Sequence, residues 1–304
     1  LVRRWLGQLG REAVRSLTRS EIDRYKAYSI ASGWRVAVNV AGREWALFVL
    51  LPLGFPFALP RIAFAEDKRY LVWPHIEDLG LFCLEAELAT PDDPVEMVRT
   101  ALDSATELIE RCHAAVDDAD FRREFVSYWN RGVPDKARPV RSLLDISNGS
   151  TRPIFMWRGE SFAVVADSEE GVLRWCDHAG VKVPKDGHKV EHGLLIAFSQ
   201  APIPSDFPRS VDDLRRLIGC YSPSTVAQFE ELFVANERAI VVFIAQSETG
   251  PGLGAISVTH GPKPSLPGFR RGRTPENIGR AARLALANAQ MQRVDRIDAA
   301  WVHG

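Results

Sequence analysis

The sequence predicts an α+β fold in two domains, and three patterns support this prediction. Apolar and polar residues alternate over residues 34–40, as expected of a half-buried strand, and a more apolar strand follows over 45–51. Apolar residues recur at helical spacing on both sides of these strands. Beyond residue 142, predicted strands and helices alternate, which is typical of α/β structure.

The first domain is expected to contain an N-terminal helix, a four-stranded antiparallel meander and C-terminal helices. The N-terminal helix is predicted over 11–31, the third strand over 57–65, and the segment around Cys83 contains or abuts the fourth strand. A later helix is predicted to begin at Asp93-Pro94, because aspartate caps helices and proline favours their first position. Residues 120–130 form a further helix whose aromatic face is expected to pack on the preceding one.

A charged, proline-containing stretch over 131–141 predicts a domain boundary. We therefore divide the chain into a first domain (1–133), a second α/β linker domain (142–260), and a linker with a last helix (261–304). In the second domain we predict a hairpin over 154–166, helices at 168–178, 211–217 and 224–234, and strands at 193–198 and 239–245. The motif GPGLG at 250–254 lacks the spacing of a phosphate-binding loop and predicts a hairpin turn. The last helix is predicted over 274–291.

Composition argues against two classes of partner. The net charge of −1 does not favour nucleic-acid binding. The longest uncharged run, residues 45–60, is interrupted by three prolines, so no membrane span is predicted. The four cysteines, Cys83, Cys112, Cys176 and Cys220, show no metal-ligand spacing, and we expect a cytoplasmic protein without a metal or a bound cofactor.

Residues 73–85, WPHIEDLGLFCLE, carry the strongest chemical signal. Pro74 interrupts an extended segment, a turn follows at Leu79-Gly80, and Cys83 lies in a short apolar run beyond the turn. Such an arrangement can hold a nucleophile at the mouth of a groove. A lone cysteine in an apolar run is more often an inert core residue, so the flanking sequence has to decide.

Residues 34–115 resemble the ubiquitin-conjugating enzyme family. Residues 55–64, FPFALPRIAF, are similar to the proline-rich stretch that precedes that family's third strand. Trp73-Pro74-His75-Ile76 stands where the family has its histidine-proline-asparagine motif, and Gly80, Cys83, Leu84 and Glu85 match its active-site glycine and cysteine-leucine-acid. The resemblance implies a UBC-like domain with Cys83 and His75 as catalytic residues.

The resemblance also implies a reaction. Cys83 would accept a ubiquitin-like protein as a thioester from an activating enzyme, and an amine of a protein target would then attack this thioester. The family's asparagine supports the oxyanion or the loop around it, and His75 takes its place here. An imidazole N–H can also donate to an oxyanion, but an imidazole changes its protonation near neutral pH. A loop-bracing hydrogen bond and a direct catalytic one are therefore both open for His75.

Residues 293–304 resemble the segment that precedes the adenylating domain in bacterial proteins that join a conjugating enzyme to a ThiF-like activating enzyme. We therefore expect a fragment whose native chain continues beyond Gly304 into an adenylation domain, the place at which ATP would bind. The implied partners are a ubiquitin-like protein, this activating domain and a protein target. The bacterial relatives place such proteins in ubiquitination-like pathways, antiphage defence among them.

Two other function classes remain open. Inactive relatives of the fold bind ubiquitin without carrying it, but they lack the cysteine that is present here as Cys83. A cysteine hydrolase could instead use Cys83 with His75, although no third orienting residue is evident. A hydrolase would release a ubiquitin-like protein from a conjugate, whereas a conjugating enzyme would form an adduct that reductant removes.

Overall fold

The computed structural model describes residues 1–9, 14–66, 69–84, 93–131, 133, 139–145, 149–181, 183, 190–235, 238–248, 250–259, 290–293 and 295–298. The chain divides into two compact units, Leu1–Asp118 and Ala119–Gly304. The predicted domain limits of 1–133, 142–260 and 261–304 stay a prediction.

The first unit is built on an antiparallel sheet whose four strands follow chain order. These strands are β1 (Val14–Ser16), β2 (Ile30–Val40), β3 (Arg43–Pro52) and β4 (Arg61–Phe64). Ala41 and Gly42 join β2 to β3 with φ values of 53° and 74°, the left-handed backbone that suits the twist of a two-residue hairpin. A four-stranded antiparallel meander is therefore present, but it is not the predicted set: β2, β3 and β4 correspond to the predicted first, second and third strands, and β1 was not predicted.

Both faces of β3 are buried, which explains why this strand is apolar along its length. Leu47 and Val49 belong to one core cluster, while Phe48 and Leu50 belong to a second cluster on the other face. This alternation is the period of two that a strand imposes on its side chains. The first cluster is covered by the helix α3 (Pro94–Ala114), and the second by side chains from residues 17–28.

The predicted N-terminal helix over 11–31 is wrong. The described part of this segment contains β1, the short helix α2 (Arg19–Asp23) and a 3-10 turn (Lys26–Tyr28), while a separate helix, α1 (Val2–Leu6), precedes them. The Thr18 hydroxyl accepts from the Glu21 N–H, and the Glu21 carboxylate accepts from the Thr18 N–H. This capping box starts α2 at Arg19. The apolar residues at roughly helical spacing serve instead to cover the second face of the sheet.

The helix α3 is confirmed with the predicted start. Asp93 is its N-cap, and the carboxylate of Asp93 accepts a hydrogen bond of 2.9 Å from the Val95 N–H. Pro94 occupies the first helical position, where a missing N–H costs nothing. Cys112 is buried in the same apolar face, in agreement with its predicted place in the core.

The second unit contains a mixed sheet of eight strands. They are β5 (Pro139–Ser142), β6 (Arg152–Arg158), β7 (Ala163–Ala166), β8 (Glu191–Phe198), β9 (Arg238–Ser247), β10 (Gly250–Thr259), β11 (Gln290–Arg293) and β12 (Asp295–Asp298), in the order β11-β10-β9-β8-β6-β7-β5-β12. The last two strands lie at opposite edges although one residue separates them in the chain, so the sheet is curled.

The predicted elements of the second unit are largely confirmed. The β6-β7 hairpin, the strands β8 and β9, and the helices α6 (Glu169–His178), α7 (Val211–Tyr221) and α8 (Val226–Ala235) all lie where the sequence predicts them. The hydroxyls of Ser168 and Ser210 cap α6 and α7. The linker over 261–273 and all but the end of the predicted helix 274–291 lie outside the described residues, and that end, from residue 290, belongs to β11.

The aromatic segment after α3 forms two short helices, α4 (Asp118–Arg123) and α5 (Phe125–Arg131). The rings of Phe125 and Trp129 contact other residues of the second unit, and the expected packing of this segment on the preceding helix stays a prediction. The ring of Trp129 has its centroid 5.0 Å from that of Phe207 and 4.8 Å from that of Phe243. Since aromatic rings bury the largest apolar areas, these contacts group α5 with the curled sheet.

The motif at 250–254 lies inside the strand β10 and not in a loop. A Cβ atom on Gly254 would lie 2.5 Å from the ring of Phe243, and one on Gly252 would lie 2.8 Å from the Val126 side chain. The glycines therefore leave room for side chains that pack on this strand. The prediction that the motif forms a hairpin turn is therefore wrong: its residues pair antiparallel with β9, from Gly250 opposite Ser247 to Gly254 opposite Phe243.

Candidate functional site

Cys83 lies at the open end of a small hairpin, residues 75–83, which we call the Cys83 hairpin. The Cys83 N–H donates to the His75 carbonyl at 2.8 Å, and the Glu77 N–H donates to the Leu81 carbonyl at 2.8 Å. Ile76 and Phe82 form an antiparallel bridge between these two bonds. All three pairs share one register, so His75 and Cys83 are held opposite each other by the backbone.

The second arm of the Cys83 hairpin lies along the free edge of β4. The Phe82 N–H donates to the Ile62 carbonyl, and the Phe64 N–H donates to the Gly80 carbonyl, each at 2.9 Å. Ala63 and Leu81 form a bridge between these bonds. The Cys83 segment therefore abuts the strand that the sequence predicts as the third, and not a separate fourth strand. Backbone hydrogen bonds fix it to the sheet.

Two residues of the Cys83 hairpin have left-handed backbone. Gly80, in the turn, has a φ of 78°, which a glycine adopts without steric cost. His75 has a φ of 59°, an uncommon value for a residue with a Cβ atom. Backbone strain of this kind often occurs at functional positions, and here it occurs at the residue whose carbonyl accepts from the Cys83 N–H.

The thiol is exposed while its neighbour in the chain is buried. Cys83 is exposed, whereas Phe82 is 4% exposed and its ring lies 4.6 Å, between centroids, from the ring of Phe64. The buried ring of Trp73 adds a further contact, with its centroid 5.9 Å from that of Phe64. This alternation anchors the hairpin in the core and presents residue 83 to solvent, which excludes an inert core role for Cys83.

The other cysteines have different surroundings. Cys112 and Cys176 are buried, and burial raises the pKa of the Cys176 thiol. Cys220 is exposed on α7 in the second unit. Exposure alone therefore does not single out Cys83, and its position in the hairpin is the distinguishing feature.

The structure gives the positions of Cys83 and His75, but it does not test the predicted role of either side chain. The structure brings the backbones of Cys83 and His75 together, and the His75 side chain is partly exposed. The catalytic role of its imidazole stays a prediction. Glu85, which matches the acid of the family motif, lies outside the described residues.

Sequence reasoning missed two tyrosines that contact the closed end of the hairpin. The Tyr28 hydroxyl donates to the Glu77 carboxylate at 2.7 Å, and the Tyr25 hydroxyl donates to the Leu79 carbonyl at 3.3 Å. Each pair is about fifty positions apart in the chain, as the separations of 49 and 54 residues show, so no local pattern links them. The Thr18-x-x-Glu21 capping box was the signal that could have corrected the helix prediction for this region.

The geometry up to this point is that of a sheet domain which presents one cysteine beside a strained histidine. Residues 8–138 match the family model described as prokaryotic E2 family B. This match supports a bacterial E2-like domain in the first part of the chain and, in general terms, a ubiquitin-conjugating-like role. Such domains interact in general with ubiquitin-like proteins and their activating enzymes. No curated protein compared with the chain matches it.

Neither a metal cluster nor a membrane-spanning helix is found in the part of the chain that the structure describes. Within these residues, no group of three or more histidine, cysteine or acidic side chains could hold a metal ion. None of the helices among them combines the length and the apolar character that crossing a bilayer requires.

Proposed function

We propose that this protein is a ubiquitin-like-protein conjugating enzyme with Cys83 as the acyl acceptor and His75 as a second catalytic residue. One observation supports this proposal above the others: Cys83 is exposed at the open end of a hairpin that is bonded to the sheet, with its N–H bound to the His75 carbonyl. An accessible thiol on a fixed backbone suits a nucleophile that must meet a large protein substrate.

The proposed reaction has two acyl transfers. The Cys83 thiolate attacks the carbonyl carbon of a thioester on the activating enzyme; a new C–S bond forms, and the cysteine of that enzyme leaves as a thiolate. A target amine then attacks the same carbonyl, the C–N bond forms, the amine loses a proton, and Cys83 leaves as a thiolate. A thiol suits both steps because it is a strong nucleophile and a good leaving group.

We propose further that an activating domain, on the same native chain, supplies the acyl group. A free carboxylate does not acylate a thiol, and its adenylation by ATP is the chemistry that would activate it. A bacterial ubiquitination-like pathway, such as one in antiphage defence, is the setting that this layout suggests.

The function is tested by incubating this chain with an activating domain, ATP and the cognate ubiquitin-like protein. A conjugating enzyme should give one adduct that dithiothreitol removes. A binding module should give a complex without an adduct, and a hydrolase should release the ubiquitin-like protein from a preformed conjugate. Either of these results in place of the adduct would reject the proposal.

We expect His75→Ala to slow transfer to an amine more than it lowers stability, if the imidazole donates to the oxyanion. Loss of one such donor raises the barrier by roughly 3 kcal/mol, on the order of a hundredfold in rate. His75→Asn keeps an N–H donor and tolerates left-handed backbone, so it should retain most of the rate. The measurement is single-turnover discharge, with urea unfolding in parallel.

His75→Gly is the matched control, because glycine adopts the φ of 59° without strain. If the imidazole is catalytic, His75→Gly and His75→Ala should discharge equally slowly although they differ in stability. A bracing role would be indicated by the opposite pattern, in which both variants discharge at the wild-type rate and unfold at lower urea concentration.

A further inference from the structure

The Cys83 hairpin is tied at its closed end to a segment about fifty residues earlier in the chain. The Tyr28 hydroxyl donates to the Glu77 carboxylate at 2.7 Å, and the Tyr25 hydroxyl donates to the Leu79 carbonyl at 3.3 Å. Glu77 also closes the turn itself, since its carbonyl accepts from the Gly80 N–H at 2.8 Å. The Glu77 side chain therefore joins the turn to Tyr28, in addition to the bonds that Leu79 accepts from Tyr25 and Gly80 accepts from Phe64.

Contacts with β4 and with the chain beyond β3 hold Tyr28 and its neighbour Ser29 in place. Tyr28 ends the 3-10 turn, and Ser29 after it accepts a hydrogen bond of 2.9 Å from the Leu53 N–H beyond β3. The guanidinium of Arg61 on β4 lies 4.6 Å from the centroid of the Tyr28 ring. Burial, and then the hydrogen bond to Glu77, raise the pKa of Tyr28 to about 12, so its hydroxyl keeps its proton and remains a donor at neutral pH.

We infer that Tyr28 and Glu77 are positioning residues for the transfer reaction, which hold the Cys83 hairpin in register so that Cys83 and His75 stay opposite each other. This inference rests on the proposed function. Its physical basis is that the two arms pair in one continuous ladder, which runs from the Glu77–Leu81 pair near the turn to the His75–Cys83 pair at the open end. A shift of the turn at one end of such a ladder displaces the reacting residues at the other.

The test uses single-turnover discharge from the charged protein to free lysine, measured over a range of lysine concentrations. Tyr28→Phe removes only the hydroxyl, and we expect roughly tenfold slower discharge at saturating lysine with little change in the half-saturating concentration. Glu77→Ala should have the same effect. Glu77→Gln keeps an oxygen that accepts from Tyr28 and should retain most of the rate.

The double variant distinguishes one shared hydrogen bond from two independent contributions to the discharge rate. Tyr28→Phe with Glu77→Ala should be no slower than either change alone if the two residues act through one hydrogen bond. Hydrogen exchange gives a readout that does not depend on activity: in Tyr28→Phe the amides of Glu77, Gly80 and Cys83 should exchange several-fold faster than in the wild type.

Tyr221→Phe is the matched control, because the Tyr221 hydroxyl donates to the Asp206 carboxylate at 2.6 Å in the second unit. This variant loses the same kind of bond and should discharge at the wild-type rate. Wild-type discharge and unchanged hairpin exchange in Tyr28→Phe would overturn the inference while leaving the proposed function intact. Failure of the wild type to form any adduct would overturn the proposed function and the inference together.

Discussion

Cys83→Ser is expected to form an adduct with the ubiquitin-like protein that survives dithiothreitol. A serine hydroxyl at this position would form an oxyester, which exchanges with thiols far more slowly than the thioester of the wild type. The yield should fall, because a hydroxyl is a weaker nucleophile than a thiolate. Gel electrophoresis with and without reductant after charging measures both effects.

Replacement of the other cysteines provides the control for this result. Cys112 and Cys176 are buried, and Cys220 lies on the helix α7 of the second unit. Alanine at each of these positions should leave the reductant-sensitive adduct intact. A wild-type adduct that persists in dithiothreitol would contradict a thioester, whatever the cysteine variants show.

Phe82→Ala is expected to lower the free energy of unfolding of the first unit by about 3–5 kcal/mol, the usual cost of removing a buried phenylalanine ring. Phe82 is 4% exposed, its ring packs on Phe64, and its N–H binds the Ile62 carbonyl of β4. The cavity would lie directly below the arm that carries Cys83. Charging should therefore fall as well, because the hairpin loses the side chain that anchors it.

Phe57→Ala is the matched control for the stability measurement. The side chain of Phe57 is 99% exposed, so the same substitution there should change the free energy of unfolding by no more than about 0.5 kcal/mol. Urea unfolding followed by tryptophan fluorescence measures both variants. Trp45 and Trp73, whose ring centroids lie 5.5 Å apart, report on the first unit, while Trp129, Trp157 and Trp175 report on the second. Equal destabilisation by Phe82→Ala and Phe57→Ala would contradict the anchoring role of Phe82.

The sequence predicts those parts of the fold that local patterns determine. The β2-β3 hairpin follows from alternation and a turn, and the start of α3 follows from Asp93-Pro94. The helix predicted over 11–31 is wrong for a physical reason. Leu17, Ile22, Tyr25 and Tyr28 cover the second face of the sheet, and they do so from short elements, α2 and a 3-10 turn among them, and not from one long helix. Two aromatic partners of the segment 120–130, Phe207 and Phe243, are remote in sequence, so no local pattern indicates them.

The candidate site is predictable only in part. The motif around Cys83 indicates the proposed nucleophile, but the exposure of the thiol depends on Phe82 and Trp73 being buried on the sheet. The backbone pairing of His75 with Cys83 follows from the hairpin register, which the spacing permits without requiring. The link from Tyr28 to Glu77 joins residues 49 positions apart, and long-range hydrogen bonds of this kind leave no periodic signal in a sequence.

The central claim is that Cys83 carries the acyl group, and charging of Cys83→Ala beside Cys220→Ala tests it most directly. Both residues are exposed cysteines, so the two variants lose equivalent thiols from different places. After incubation with the activating domain, ATP and the ubiquitin-like protein, intact mass spectrometry should find the reductant-sensitive adduct in Cys220→Ala and none in Cys83→Ala. An adduct of unchanged yield in Cys83→Ala would contradict the account, because the motif over residues 73–85 would then reflect a shared fold without a shared chemistry.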